Sequence, residues 1–229
     1  EHGDLKKALE YRQRVLSLCE RIYGEAQPEV PGSLSALAHV HQEQGDLKKA
    51  LEYRERVLSM CERIYGEEHP EVAGSLSAIA GVQQAKGDLT KALEYSERVL
   101  SMYERIYGAE HPEVAVSLSG IGSVHQEMGD LKKALEYGER CLEMEQRIYG
   151  DEHPEVATTL SVIGKIQQLR GEFDEALRLR QAARDIRIRI YGDAHIHVAL
   201  SHLRLAELHA EREEPAPERA SYEACIAAR

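Results

Sequence analysis

The chain has no tryptophan, one phenylalanine and no asparagine, and none of its apolar runs reaches the length of a membrane-spanning helix. Basic residues are in the minority, with 29 against 40 acidic ones, which gives a formal net charge of −11. Nucleic acids and anionic membranes are bound by basic faces, so neither is expected as a partner. Charges of both signs are interspersed, which argues against a disordered acidic tail.

One ten-residue motif, by contrast, is copied five times at a spacing of 42 residues. The third copy reads RIYGAEHPEV, and the five copies begin at Arg21, Arg63, Arg105, Arg147 and Arg189. The turn signal Gly-Asp-Leu recurs at the same spacing. Self-similarity at a period of this size indicates a repeat architecture that grows by stacking.

Each repeat is predicted to contain two helices, A and B, joined by turns. In the unit that follows His69, Pro70 and Glu71 start helix A, because proline and an acid both suit a first helical turn. Gly87 ends helix A and Asp88 caps helix B. The copied motif is therefore the joint between repeats, and its glycines are expected to have positive φ. These joint glycines are Gly66, Gly108 and Gly150.

The helix pattern resembles the tetratricopeptide repeat. The matching residues of one unit are Leu76, Ile79, Ala80, Gly87, Asp88, Ala92 and Leu93. The 42-residue unit with a His-Pro joint is similar to the repeats of kinesin light chains. This resemblance implies an all-α fold, a right-handed α-solenoid of helix-turn-helix TPR units with about eleven helices.

We predict a single solenoid over residues 1–229. Its parts are a half repeat 1–28 with helix B at about 4–22, repeats 29–70, 71–112, 113–154 and 155–196, and a degenerate capping repeat 197–229 with helices at about 197–212 and 216–228. The chain starts inside a repeat, so we expect it to be cut from a longer protein. The worn last repeat is typical of a natural solenoid end.

The potentially reactive side chains follow the repeat register, which favours structural roles. Cys19 and Cys61 occupy equivalent positions about 10 Å apart, too far for a disulfide, so reduced thiols and a cytoplasmic location are expected. Tyr53 and its counterparts Tyr11, Tyr95 and Tyr137 are predicted to pack between helices rather than to form a stacking platform.

Two sets of histidines recur with the repeat. The first set should start helices, and the second should be half-buried and bonded to the turn before helix B. The sets are His69, His111, His153 and His195, and His41, His125 and His209. A zinc site near His195, His197 and His202 is the less favoured alternative. No nucleophile–base pair or phosphate loop is found, so we predict no enzyme, catalytic residue, cofactor or metal.

The resemblance implies a binding site in the concave groove, on helix A residues one step from the core stripe. These residues are Ser35, His39, Gln42, Glu43, Ser77, Gln84, Ser119, Ser123, Gln126, Glu127, Ser161, Lys165 and Gln168. Kinesin light chains have Leu-Asn-Asn-Leu-Ala in this region, where asparagines hold a peptide backbone, whereas this chain has Leu-Ser-Ala-Ile-Ala. Serine offers fewer hydrogen-bonding groups than asparagine.

The sequence therefore predicts a protein- or peptide-binding scaffold of modest affinity and weak salt dependence. The alternative is a structural or regulatory array, such as a sensor, within a larger multidomain protein that self-associates through the solenoid ends.

Overall fold

The computed structural model describes residues 2–23 and 29–211, which form ten α-helices and contain no strand. The chain divides into two compact units, residues 1–109 and 110–229. The first unit contains α1 (His2–Tyr23), α2 (Glu29–Glu43), α3 (Leu47–Tyr65), α4 (Pro70–Ala85) and α5 (Leu89–Tyr107). The second contains α6 (Pro112–Glu127), α7 (Leu131–Tyr149), α8 (Pro154–Leu169), α9 (Phe173–Tyr191) and α10 (Ile196–Glu211).

Even-numbered helices are the predicted A helices and odd-numbered ones the B helices. The predicted last helix, at about 216–228, lies outside the described residues. Helix α1 begins at His2, so Gly3 lies within it and makes no turn. Gly45 makes the turn between α2 and α3. Gly3 has the same register but makes no such turn, since no described helix precedes α1. In the described part of the chain, none of the helices is long and apolar enough to span a membrane.

The turns from A to B helices use the predicted cap. Asp46, Asp88 and Asp130 each accept a hydrogen bond from the backbone N–H three residues later, at 3.1–3.3 Å. The fourth copy has Glu172, whose side chain makes no cap hydrogen bond. The shorter aspartate side chain suits this geometry, because its oxygen reaches the first free N–H groups of the helix.

The joints between repeats confirm the predicted geometry. Gly66, Gly108 and Gly150 have φ of +85°, +87° and +82°. The next helix A is capped by histidine: the Nδ1 atom of His69 accepts a hydrogen bond from the N–H of Glu71 at 3.2 Å. His111, His153 and His195 make the same bond, at 3.2–3.3 Å. The joint histidines are therefore helix-start residues, as predicted.

Tyrosine completes the joint by stacking on this histidine. The ring centroids of Tyr65 and His69 are 4.5 Å apart, and those of Tyr149 and His153 are 4.2 Å apart. A surface ion pair also connects successive joints within a unit. Arg105 lies 3.1 Å from Glu68 in the first unit, and exposed pairs of this kind contribute little stability.

The core of each unit lies between its A and B helices. Leu34, Leu37 and Ala38 of α2 are fully buried, as is Ala50 of α3. His41 is 3% exposed, more buried than predicted, and stacks on Tyr53 at 5.5 Å. The predicted hydrogen bond to the turn is absent, since neither ring nitrogen of His41 has a hydrogen-bond partner, although Nδ1 lies 3.5 Å from a carboxylate oxygen of Asp46. In the second unit, His125 stacks on Tyr137 at the same distance.

The prediction that tyrosines pack between helices holds for Tyr53 and Tyr137, but it is wrong for Tyr11, which is 70% exposed because no described helix covers that side of α1. Cys61 and Cys141 are free, buried thiols. Cys225 and the side chain of Cys19 lie outside what the structure describes.

Candidate functional site

The predicted site residues of the first unit lie along its two full A helices. On α2, His39 and Glu43 are exposed, and Ser35 and Gln42 are half-buried. His39 Nδ1 lies 3.7 Å from a carboxylate oxygen of Glu43. On α4, Ser77 is exposed and Gln84 is half-buried. A Cβ added at Gly32 of α2 or at Gly74 of α4 would meet nothing within 4 Å.

The predicted residues of the second unit lie on α6 and α8. Ser119, Ser123 and Glu127 of α6 are exposed, as is Lys165 of α8. The two glutamines at the ends of these helices are half-buried, as on the A helices of the first unit. They are Gln126 and Gln168.

Ser161 differs from the other predicted residues because it is only 5% exposed. Its hydroxyl donates a hydrogen bond to the Ala157 carbonyl at 2.9 Å and accepts one from the guanidinium of Arg187 at 3.0 Å. Arg187 extends from α9 and also donates to the hydroxyl of Ser201 on α10, at 2.9 Å. Ser161 therefore connects α8 to α9 and is not part of the exposed surface of the A helices.

A cavity in the second unit brings two of the predicted residues together. It has a volume of about 530 Å³ and lies among α8, α9 and α10. Lys165 and Gln168 line one side of it. The other lining residues are Leu169, Arg180, Leu200, Leu203, Arg204, Glu207 and Glu211. The cavity thus combines aliphatic side chains with charges of both signs.

Arg180 lines this cavity and is 6% exposed. Its guanidinium donates hydrogen bonds to the carbonyl of Arg204, at 2.7 Å, and to the side-chain oxygen of Gln168. Burial lowers the pKa of Arg180, and the nearby positive charge of Arg204 acts in the same direction. A Cβ added at Gly164 would lie 3.0 Å from the Arg180 side chain, so the glycine provides the space that Arg180 occupies.

The sequence reasoning missed several exposed apolar side chains on the A helices of the second unit. Val116 is 65% exposed, Val162 38%, Leu169 53% and Leu200 42%. Val116 and Leu200 share a register position at which α2 and α4 have glycine. These exposed residues could have been predicted from the sequence. An apolar residue that lies outside the core stripe of a helix remains in contact with water.

A buried polar cluster in the second unit was also missed. Glu145 of α7 is 6% exposed, and the thiol of Cys141 donates toward one of its carboxyl oxygens at 3.5 Å. Its other oxygen has no hydrogen-bond partner. Burial raises the pKa of Glu145, whereas hydrogen bonds from Thr159 and Cys141 lower it. Burial also raises the pKa of Cys141, to about 12, which disfavours the thiolate form that a nucleophilic cysteine requires.

The family model described as tetratricopeptide repeat matches residues 29–105, 71–144 and 119–179. A comparison with curated proteins finds no match. Together with the all-helical structure, the match confirms the predicted fold class.

Three solved structures show the same fold at low identity. BtubC (BKLC) from P. vanneervenii is 19% identical, with a TM-score of 0.72 over 98% of this chain and 86% of that chain. A kinesin light chain-type protein from Podosopora anserina, with nearly identical TPR-like repeats, is 24% identical, with a TM-score of 0.69 over 83% and 90%. A Rap protein complexed with competence and sporulation factor is 15% identical, with a TM-score of 0.69 over 89% and 54%.

Proposed function

We propose that this chain, which belongs to the tetratricopeptide repeat family, is a protein- or peptide-binding scaffold whose ligand lies on the exposed surfaces of its A helices. Folds of this family are generally non-enzymatic scaffolds. The Rap protein of the same fold is complexed with competence and sporulation factor, which supports a ligand-binding role.

The cavity of the second unit is the observation on which this proposal rests. It places Lys165 and Gln168 next to Leu169 and Leu200, so a ligand would meet polar and aliphatic groups together. This combination is typical of binding sites, where apolar contact provides affinity and a few polar groups provide orientation. The remaining predicted residues of α6 would extend the same surface within this unit, and those of α2 and α4 would form the surface of the first.

The charge distribution supports a ligand held mainly by shape and apolar contact. Three cationic side chains line the cavity, Lys165, Arg180 and Arg204, and two of these charges are offset by Glu207 and Glu211. Salt weakens the attraction between exposed charges. Where a site carries charges of both signs, their effects on the affinity for a charged ligand largely cancel, so salt changes that affinity little. We therefore expect modest affinity with a shallow dependence on ionic strength.

The test uses peptides selected from a random twelve-residue library on the complete chain. A selected peptide is then titrated against the chain and against the triple variant Lys165→Ala/Leu169→Ala/Leu200→Ala. Loss of affinity by about tenfold or more is expected, because truncation of side chains near the desolvated centre of a binding surface has the largest effect on its energy. The matched control is Glu136→Ala/Glu139→Ala on the exposed side of α7.

A companion variant, Ser77→Ala/Gln84→Ala, tests the surface of the first unit with the same peptide. Loss of binding in the α7 control alone, with both A-helix variants unchanged, would place the site on the B helices and contradict the proposal. A steep loss of affinity with salt would contradict the proposed balance of charges.

A further inference from the structure

The cavity of the second unit brings three cationic side chains together from three helices. Lys165 of α8 and Arg204 of α10 are exposed, whereas Arg180 of α9 is 6% exposed. Arg180 donates a hydrogen bond to the backbone carbonyl of Arg204, and its side chain passes beside Gly164, the residue before Lys165. Arg180 therefore lies between the positions of the other two cations.

The positive charge of Arg180 has only uncharged direct acceptors among the described residues. They are the carbonyl of Arg204 and the side-chain oxygen of Gln168, and Nε is buried without a hydrogen-bond partner. The amide nitrogen of Gln168 in turn donates to a carboxylate oxygen of Glu211. Burial lowers the pKa of Arg180, and Arg204 lowers it further, whereas Glu207 and Glu211 act less strongly in the opposite direction. A buried cation in such surroundings is stabilised by an added anion.

The charges of the lining residues indicate how many anionic groups the cavity can accept. Among the described residues that line it, three cations accompany two carboxylates, which leaves one positive charge. The chain as a whole has a formal net charge of −11, so the cavity is locally opposite in sign. Charge complementarity therefore favours a ligand group with a single negative charge.

Aliphatic side chains line the same cavity next to the charges. Leu200 and Leu203 lie one turn before Arg204 and Glu207 on the same face of α10, and Leu169 lies at the end of α8. Leu169 and Leu200 are exposed. A ligand that fills this cavity of about 530 Å³ would thus place an anionic group beside apolar ones, as in many binding pockets of about 300–1,000 Å³.

The repeat itself does not require these cations. At the register of Arg180, α5 has Ser96 and α7 has Gly138. Arginine recurs at this register in α3, as Arg54, but α2 and α4 have alanine at the register of Arg204. In the other A helices this second register is occupied by Ala36, Ala78, Gly120 and Val162. The combination of cations therefore distinguishes the α8–α10 cavity from the other repeats.

We propose that this cavity binds the carboxylate of a glutamate or aspartate side chain within a peptide, with aliphatic side chains of the peptide against Leu169, Leu200 and Leu203. The exposed Lys165 and Arg204 donate hydrogen bonds to the carboxylate, and the buried charge of Arg180 adds to the attraction. The inference rests on the proposed function, because it names the kind of peptide that the A-helix surface of the second unit selects.

The probe is the peptide acetyl-Leu-Glu-Leu-amide, in which the only carboxylate belongs to a side chain. It is compared with acetyl-Leu-Gln-Leu-amide, which has nearly the same shape but no charge. Both are titrated against the isotope-labelled complete chain up to about 5 mM, and binding is followed by NMR chemical shifts. We expect the glutamate peptide to bind more tightly by about fivefold or more, because hydrogen bonds to a charged acceptor are the stronger ones.

Variants of the chain test whether the cations cause this preference. In Lys165→Gln/Arg204→Gln the preference for glutamate should fall below about twofold. Both side chains are exposed, and the carbonyl of Arg204 that accepts from Arg180 belongs to the backbone and is retained. The matched control is Lys132→Gln/Lys133→Gln on α7, which removes two exposed positive charges and should leave the preference unchanged.

A third peptide distinguishes the source of the carboxylate. Acetyl-Leu-Gln-Leu with a free carboxyl terminus should bind more weakly than the glutamate peptide. If it binds as tightly, the cavity takes a chain terminus and the proposal is wrong. Absence of binding by the glutamate peptide, equal affinity of the glutamate and glutamine peptides, or a preference that persists in Lys165→Gln/Arg204→Gln would also overturn it.

The peptides selected from the twelve-residue library separate this inference from the proposed function. Selected peptides that lose affinity for Lys165→Ala/Leu169→Ala/Leu200→Ala should carry an acidic residue next to an aliphatic one. If they carry none and bind Arg204→Gln as tightly as the original chain, the proposed function stands and this inference fails. If no selected peptide is affected by the A-helix variants, the proposed function itself fails.

Discussion

Replacement of Glu145 by glutamine should stabilise the protein, and more strongly at high pH. Glu145 is 6% exposed on α7, and one of its carboxyl oxygens has no hydrogen-bond partner. Burial is the main cause of its raised pKa, and the negative charge of Glu155 adds to it. Glutamine has nearly the same shape but no charge, so Glu145→Gln removes the cost of a buried carboxylate.

The sign of the pH dependence follows from this raised pKa. The carboxyl group of Glu145 binds its proton more tightly in the folded chain than in the unfolded chain. Its favourable contribution is therefore complete below the unfolded-state pKa and is lost as pH rises through the folded-state pKa. In this interval the free energy of unfolding falls by up to about 1.4 kcal/mol per pH unit.

The size of the effect can be bounded from the contacts. A buried polar group without a full set of partners costs roughly 1–3 kcal/mol. Thr159 and Cys141 provide hydrogen bonds to the carboxylate, which places Glu145 toward the lower part of that range. We expect Glu145→Gln to raise the free energy of unfolding by about 1–2 kcal/mol at pH 8, and the melting temperature by roughly 2–8 °C.

The measurement is thermal unfolding, followed by circular dichroism at pH 4 and pH 8, on the original chain and the Glu145→Gln variant. The stabilisation should be present at pH 8 and nearly absent at pH 4. The control is Glu143→Gln on the same helix, where the side chain is 69% exposed and should have little effect at either pH. Equal melting temperatures of the original chain and Glu145→Gln at pH 8 would refute the argument.

Three further changes test the packing and the joints by thermal unfolding. Ala134→Leu should cost about 1–3 kcal/mol, because Ala134 is fully buried where α6 and α7 meet, and an unchanged melting temperature would show that the helix register is wrong. Gly108→Val should cost more than about 1 kcal/mol, since φ is +87° at Gly108, and the matched change Gly120→Val, at an exposed helical position, should cost less. His153→Ala should cost about 1 kcal/mol through loss of the cap on α8, and equal stability of His153→Ala and His153→Asn would argue against capping as its role.

The joints between repeats were predictable because their geometry is local. A positive φ at Gly66 and a proline in the first turn of α4 depend on only a few consecutive residues. Because the same residues recur at a fixed spacing, every joint adopts the same backbone geometry. The capping by His69 follows the same rule, although its Nδ1 atom as acceptor and the stacking on Tyr65 became evident only in the structure.

The exposed site residues were predictable in position but not in environment. A residue one step from the core stripe is expected to face outward, and Ser77, Ser119 and Lys165 do so. Ser161 has the same register as Ser77 but is buried, because Arg187 from α9 reaches it. Such a contact joins residues that are 26 positions apart, and repeat symmetry does not predict it.

The sequence by itself determines that the chain is an array of paired helices, where the helices from α2 to α10 begin and end, and which side of each of them is apolar. These properties follow from short-range backbone sterics, capping and hydrophobic periodicity. Only the tertiary structure decides which side chains meet across helices. The buried Glu145, the passage of Arg180 beside Gly164 and the hydrogen bond from Arg187 to Ser161 all depend on distances between elements. The physical reason is that the repeated residues give every repeat the same backbone geometry. The side chains that lie between helices differ from one repeat to the next, and they come into contact only when the helices pack.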